Sequence, residues 1–212
     1  MTSTTVVLAR HGRTAWHQPT RYTGRSDVPL DEVGVTQAAE LGRWAAGQGF
    51  AALACSQLVR ARQTAAAVTG LTPSVDPRLR ELDFGVAEGH TLAELRATDA
   101  AMVARFEADP VAGHFPDGEP PVEAAERGLA ALHELATAHA GQRILVVAHS
   151  TLIRLVVCAV LGVPLSEYRR RLPVLDPAAT VTLRFPEPVG LLSYNVSRMM
   201  TGRHDEAEPR RG

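Results

Sequence analysis

Only two cysteines occur among 212 residues, aromatic side chains make up 5% of the chain, and 22 basic residues against 23 acidic ones leave a formal charge of -1. Each scarcity excludes something. Cys55 and Cys158 follow Ala-Leu-Ala and Leu-Val-Val, and no Cys-x-x-Cys spacing offers zinc or redox chemistry, so both read as reduced core residues. A balanced charge supplies no general field for nucleic acid or an anionic membrane, so neither is expected as a partner and any anion site must be local. No window approaches the ~18 unbroken apolar residues of a membrane span. Met1 to Thr5 runs straight into an apolar strand without the pattern of a signal peptide, so a cytoplasmic location is expected. No metal motif stands out, and neither a metal nor a cofactor is expected.

What is present is an alternation of strands and helices. Thr5 to Ala9 is a short β-branched run ending at Arg10, and Arg143 to Ala148 is the strongest strand signal, running into His149, Ser150 and Thr151. Phe50 to Cys55, a short piece near Ser74 to Asp76, Thr180 to Phe185 and Gly190 to Val196 complete the expected strands. Helices are predicted over 34–47, 58–69, 91–108, 122–139 and 152–161, with Ser56 and either Ser150 or Thr151 as caps. Residues 12–33, 80–90 and 114–121 read as loops at the rim of a site. The pattern predicts a three-layer α/β/α sandwich around a mostly parallel sheet, with the last strands free to pair antiparallel. It is read as one catalytic domain over residues 1–201, followed by a mobile charged tail over 202–212.

Two histidines, His11 and His149, each follow a buried strand, so both project from the same sheet edge, where open α/β sheets bind ligands. Arg10 and Arg60 join them near helix N-termini. Phosphoryl transfer asks for an in-line nucleophile and for charge stabilisation around the equatorial oxygens, which guanidinium groups and helix N-terminal amides supply. His11 must be neutral to attack, and Arg10 and Arg60 oppose a further positive charge beside them. A leaving alkoxide needs a proton. The run from Leu79 to Gly89 offers Glu81, Asp83 and Glu88; Glu81 has apolar neighbours that could raise its pKa, but residue chemistry alone does not separate the three.

The ordered set of motifs resembles the histidine phosphatase superfamily, also called the phosphoglycerate mutase-like family. It comprises Leu8-Ala9-Arg10-His11-Gly12-Arg13-Thr14-Ala15-Trp16, Arg21-Tyr22-Thr23-Gly24, Ser56 to Ala65, Leu79 to Gly89, Asp117-Gly118-Glu119 and Val146-Val147-Ala148-His149, across residues 5–197. The resemblance implies that His11 is the phosphorylated nucleophile, that Arg10, Arg60 and His149 hold the phosphoryl group, and that Glu81 is the proton donor. It places Thr14, His17, Thr23 and Gly24 along the substrate pocket. Arg62 is the alternative guanidinium, though its spacing from Arg60 points it elsewhere. Ser150 stands beside the phosphate site where Gly is usual, His17 where mutases often carry Asn, and Arg13 where Glu or Gln is commoner, so Ser150 joins the candidate binding residues.

The expected activity is hydrolysis of a small phosphomonoester through a phosphohistidine. The alternatives are mutase-type transfer, which needs water kept out, and simple binding of a phosphorylated ligand. The chain is short between Gly89 and Glu119, where the mutases carry additional segments, which favours the phosphatase. Arg13, Arg21 and Arg25 hint at a second anionic group on the substrate, such as a carboxylate or second phosphate, although solvated loop arginines are the commoner case. A homodimer is a family-level expectation only.

Overall fold

In a computed structural model, residues 3–186 and 188–197 are described. The charged tail expected from Gly202 onward lies outside the described residues. Six strands form one sheet: β1 (Thr4–Arg10), β2 (Ala52–Cys55), β3 (Ser74–Val75), β4 (Arg143–Ala148), β5 (Thr180–Phe185) and β6 (Gly190–Val196), in the order β3-β2-β4-β1-β5-β6. The first four in that order are parallel, while β5 runs antiparallel to β1 and β6 antiparallel to β5.

Strict alternation along the central strands sends side chains to two separate cores. Val6, Leu8, Ile144, Val146 and Ala148 face one of them, with α5 (Pro121–Ala138) and α6 (Ser150–Leu161). Val7, Ala9, Leu53, Cys55, Leu145 and Val147 face the other, with α1 (Glu32–Ala46) and α2 (Val59–Ala66). Burial on both faces is why these strands read as unbroken apolar runs rather than as alternating ones. The expected three-layer sandwich with a mostly parallel sheet is therefore the fold. No helix among the described residues is long and apolar enough to cross a membrane.

The helix expected over 91–108 is two helices, α3 (Leu92–Thr98) and α4 (Ala100–Ala108). Asp99 breaks them apart because it ends the first and its side chain accepts the Met102 amide to begin the second. A short α7 (Tyr168–Arg171) precedes the return to β5. The helices after β1 and β4 lie on opposite faces of the sheet, so the crevice between those two strand ends is a topological switch point.

Candidate active site

Because β1 and β4 are parallel neighbours with Arg10 opposite Ala148, the residues that follow leave the sheet at one level. The His11 amide donates to the Ala148 carbonyl at 3.0 Å, extending the ladder one step. The rings of His11 and His149 then lie 5.1 Å apart, tilted by 59°. Gly12 follows because nothing larger fits: a Cβ there would stand 2.5 Å from the Gly34 carbonyl oxygen. Its amide donates to Thr64 Oγ1 at 3.1 Å, and that hydroxyl donates to the Arg60 carbonyl at 2.7 Å, which ties the His11 loop to α2.

His11 Nδ1 lies 2.7 Å from the Gly12 carbonyl, an acceptor only, so the proton sits on Nδ1 and Nε2 keeps the lone pair. Burial, and after it the charges of Arg60 and Arg10, hold the His11 pKa well below the usual histidine range. His149 is held low in the same way, by burial first and then by Arg60. Both rings are neutral at pH 7.

Arg60 is fully buried and donates to the carbonyls of Ser26 at 2.8 Å, Gly24 at 2.8 Å and Thr23 at 3.2 Å. Arg62, two residues on, is exposed. Arg10 donates to the Leu175 carbonyl at 2.6 Å and to His17 Nε2 at 2.6 Å, and burial pushes its pKa down to about 10. His17 Nδ1 lies 3.1 Å from Thr14 Oγ1, and burial together with Arg10 pushes the His17 pKa down to about 4. Four buried nitrogens in this cluster have no hydrogen-bond partner: Nε of Arg10, Nε of Arg60, and both ring nitrogens of His149. Buried polar groups are normally satisfied, and these sit together beside His11, an arrangement able to receive an oxyanion.

Glu81 is buried, and its carboxylate accepts from the amides of Leu82, Leu152 and Thr151, each at 2.9 Å. It thereby caps α6. Neither Ser150 nor Thr151 does so: helix geometry begins at Ser150, and the preceding His149 makes no side-chain cap bond. Ser56 is likewise not the cap residue of α2, although its hydroxyl accepts the Leu58 amide at 3.2 Å. Of the three loop carboxylates, Glu81 alone lines the pocket. Asp83 meets Arg25, and Glu88 accepts from Ser26.

The pocket has a volume of about 520 Å³. Arg10, His11, His17, Thr23, Glu81 and Ser150 line it, whereas Thr14, Gly24, Arg60 and His149 are buried beyond its wall. Thr14 acts on the pocket through His17, and Gly24 through its carbonyl on Arg60. Arg13, Arg21 and Arg25, which in sequence hint at a second anion on the substrate, are instead answered by Asp31 at 2.8 Å, Glu94 at 2.7 Å and Asp83 at 3.3 Å.

Three arginines at or behind the site went unread in the sequence. Arg154 and Arg169 line the pocket, and Arg127 of α5 donates to the carbonyls of Arg78, Arg80 and Glu81. A lone cation inside an apolar helix one turn after His149 was a usable signal for Arg154. Arg127, beside the buried Ala124 and Gly128 face of α5, carried a similar one.

The family model described as histidine phosphatase superfamily (branch 1) matches residues 6–195. A Yersinia pestis protein named probable phosphoglycerate mutase GpmB is 34% identical over 168 residues, 78% of each chain. Among solved structures, Bacillus stearothermophilus YhfR superposes with a TM-score of 0.84 at 28% identity, covering 91% of this chain and 97% of that one. A mycobacterial glucosyl-3-phosphoglycerate phosphatase does so with a TM-score of 0.83 at 26% identity, covering 92% and 100%.

Proposed function

The chain belongs to the histidine phosphatase superfamily, and from that premise we propose that it hydrolyses a small phosphomonoester through a phosphohistidine formed on His11. The observation that carries this reading is the state of His11. It is a buried, neutral imidazole with its proton committed to Gly12 and its Nε2 lone pair left for attack, beside the unsatisfied donors of Arg10, Arg60 and His149.

In the first half-reaction Nε2 of His11 forms a bond to phosphorus as the ester P–O bond breaks. The guanidinium groups of Arg10 and Arg60 and the neutral ring of His149 take up the charge on the equatorial oxygens. The departing alkoxide takes a proton from the Glu81 carboxyl, leaving an alcohol. In the second half a water gives its proton back to Glu81 as its oxygen attacks phosphorus, which releases inorganic phosphate and restores His11. Burial, and after it the charges of Arg60 and Arg10, keep the nucleophile unprotonated in the empty site.

The relative named as a mutase supports a second reading, in which an acceptor hydroxyl replaces water. Phenyl phosphate hydrolysis separates the classes. The proposal expects phosphate release that disappears in His11→Ala, and an acid-labile phosphoryl label on the protein during turnover. Release that survives His11→Ala overturns the mechanism. Transfer to an added phosphoglycerate that outruns hydrolysis selects the mutase.

A further inference from the structure

Three consecutive arginines end α7, and their surroundings differ. Arg170 and Arg171 are exposed and face Glu167 at 3.1 and 3.7 Å. Arg169 is half-buried: its guanidinium lies over the Phe106 ring, 4.9 Å from the centroid, and it reaches the Tyr22 hydroxyl at 3.4 Å. Arg154, one turn into α6, is half-buried as well. It lies 4.9 Å over the Tyr168 ring and donates to the carbonyls of Ser150 at 3.2 Å and Leu172 at 3.3 Å. Both line the 520 Å³ pocket.

Among the described residues, neither Arg154 nor Arg169 has a carboxylate at ion-pair distance. Arg21, by contrast, shares the wall but is paired with Glu94. Of the carboxylates nearby, Asp176 lines the same pocket and accepts from Asn195 at 3.0 Å, Glu81 holds the amides of α6, and Glu107, close to Tyr22, is paired with Arg96; none of them is within ion-pair distance of Arg154 or Arg169. A phosphoryl group carries about two negative charges, which Arg10 and Arg60 already match. The cations acting most strongly on His11 are those same two, so Arg154 and Arg169 are surplus to the phosphoryl cradle. Arg154 is nonetheless close enough to help lower the Arg10 pKa, which puts the surplus next to the cradle. Aromatic faces beneath both guanidinium groups hold them in place. Two partly desolvated, unpaired cations are costly unless an anion meets them.

The geometry points to a second anion subsite formed by Arg154 and Arg169 with the Tyr22 hydroxyl. The substrate thus carries, beyond its phosphoester, a carboxylate or a second phosphate. This rests on the phosphatase reading for what fills the cradle. A pocket of this size also accommodates a body larger than a three-carbon phosphate.

Phosphonates test the subsite without turnover. In calorimetry, 4-carboxyphenylphosphonate or 1,4-phenylenebisphosphonate binds about tenfold or more tighter than phenylphosphonate, and the larger gain tells a carboxylate from a second phosphate. Arg154→Met and Arg169→Met, singly and together, collapse that ratio, while Arg170→Met on the same short helix keeps it. Equal affinities in the unaltered protein, no binding of any of the three, or a ratio that survives both single substitutions overturns the proposal. Failure of the phosphatase reading shows separately, as absent His11-dependent phosphate release, and leaves these affinities readable.

Discussion

Replacing Arg127 by methionine is expected to damage catalysis through a residue that never meets the substrate. Arg127 holds Glu119 through two bonds, at 2.7 and 2.8 Å, and its other donations reach the carbonyls of Arg78, Arg80 and Glu81 at 2.6, 2.8 and 3.1 Å. Its side chain is 12% exposed and that of Glu119 9%, so solvent cannot replace these contacts. Glu119 would keep only Arg80, at 2.9 Å, and three loop carbonyls would lose their donor. Breaking a pair this buried costs about 3–5 kcal/mol, to be read as a lowered urea midpoint. The same loss frees the backbone that aims Glu81. Aryl phosphates of graded leaving-group pKa tell positioning from mere destabilisation. A good leaving group such as 2,4-dinitrophenolate needs little proton donation, so Arg127→Met slows phenyl phosphate far more than 2,4-dinitrophenyl phosphate. A folded Arg127→Met protein with the parent's leaving-group dependence would refute this reasoning.

Acidification reads three imidazoles, those of the buried His11 and His149 and that of the half-buried His17. His11, His17 and His149 all have lowered pKa values; the unfolded chain therefore takes up protons as pH falls past about 6.5 while the native chain does not. Stability accordingly declines below about pH 6.5, and the His17 contribution stops growing near pH 4. Urea titrations at several pH values check this, and a stability that rises between pH 6.5 and 5 would contradict it. Gly12→Ala puts a Cβ 2.5 Å from the Gly34 oxygen; it is expected to cost about 1–3 kcal/mol and most of the activity, measured by thermal melting and phosphate release. Activity is expected to persist in excess chelator, because Arg10 and Arg60 supply the countercharge and the neutral His149 ring a hydrogen bond; loss that added metal restores would speak against the proposed mechanism.

The parts of this structure that were legible in sequence are those whose signal is local. β1 and β4 are buried on both faces and so appear as apolar runs, and the two histidines that follow them inherit a common edge from parallel pairing. The break at Asp99 is hard to read because the alanines around it, Ala97, Ala100 and Ala101, are helix formers, and the capping role of one side chain divides the two helices. The α6 cap was misread because it comes from Glu81, some seventy residues away, rather than from the serine and threonine at hand. Likewise nothing in the spacing of Arg13, Arg21 and Arg25 reveals Asp31, Glu94 and Asp83 across the loop. Nothing local sets Arg169 apart from Arg170 and Arg171, the arginines that follow it; Phe106 and Tyr22, remote in sequence, do so in the fold.

The cap on α6 has a consequence for inheritance. Glu81 both starts a helix that packs against the central sheet and lines the pocket proposed to be catalytic, so selection on folding alone would favour keeping it. A descendant of this chain that had given up catalysis would still carry the glutamate, and its sequence there would be indistinguishable from that of a working enzyme. His11, which serves no comparable capping bond, is the position where such a loss would first become visible.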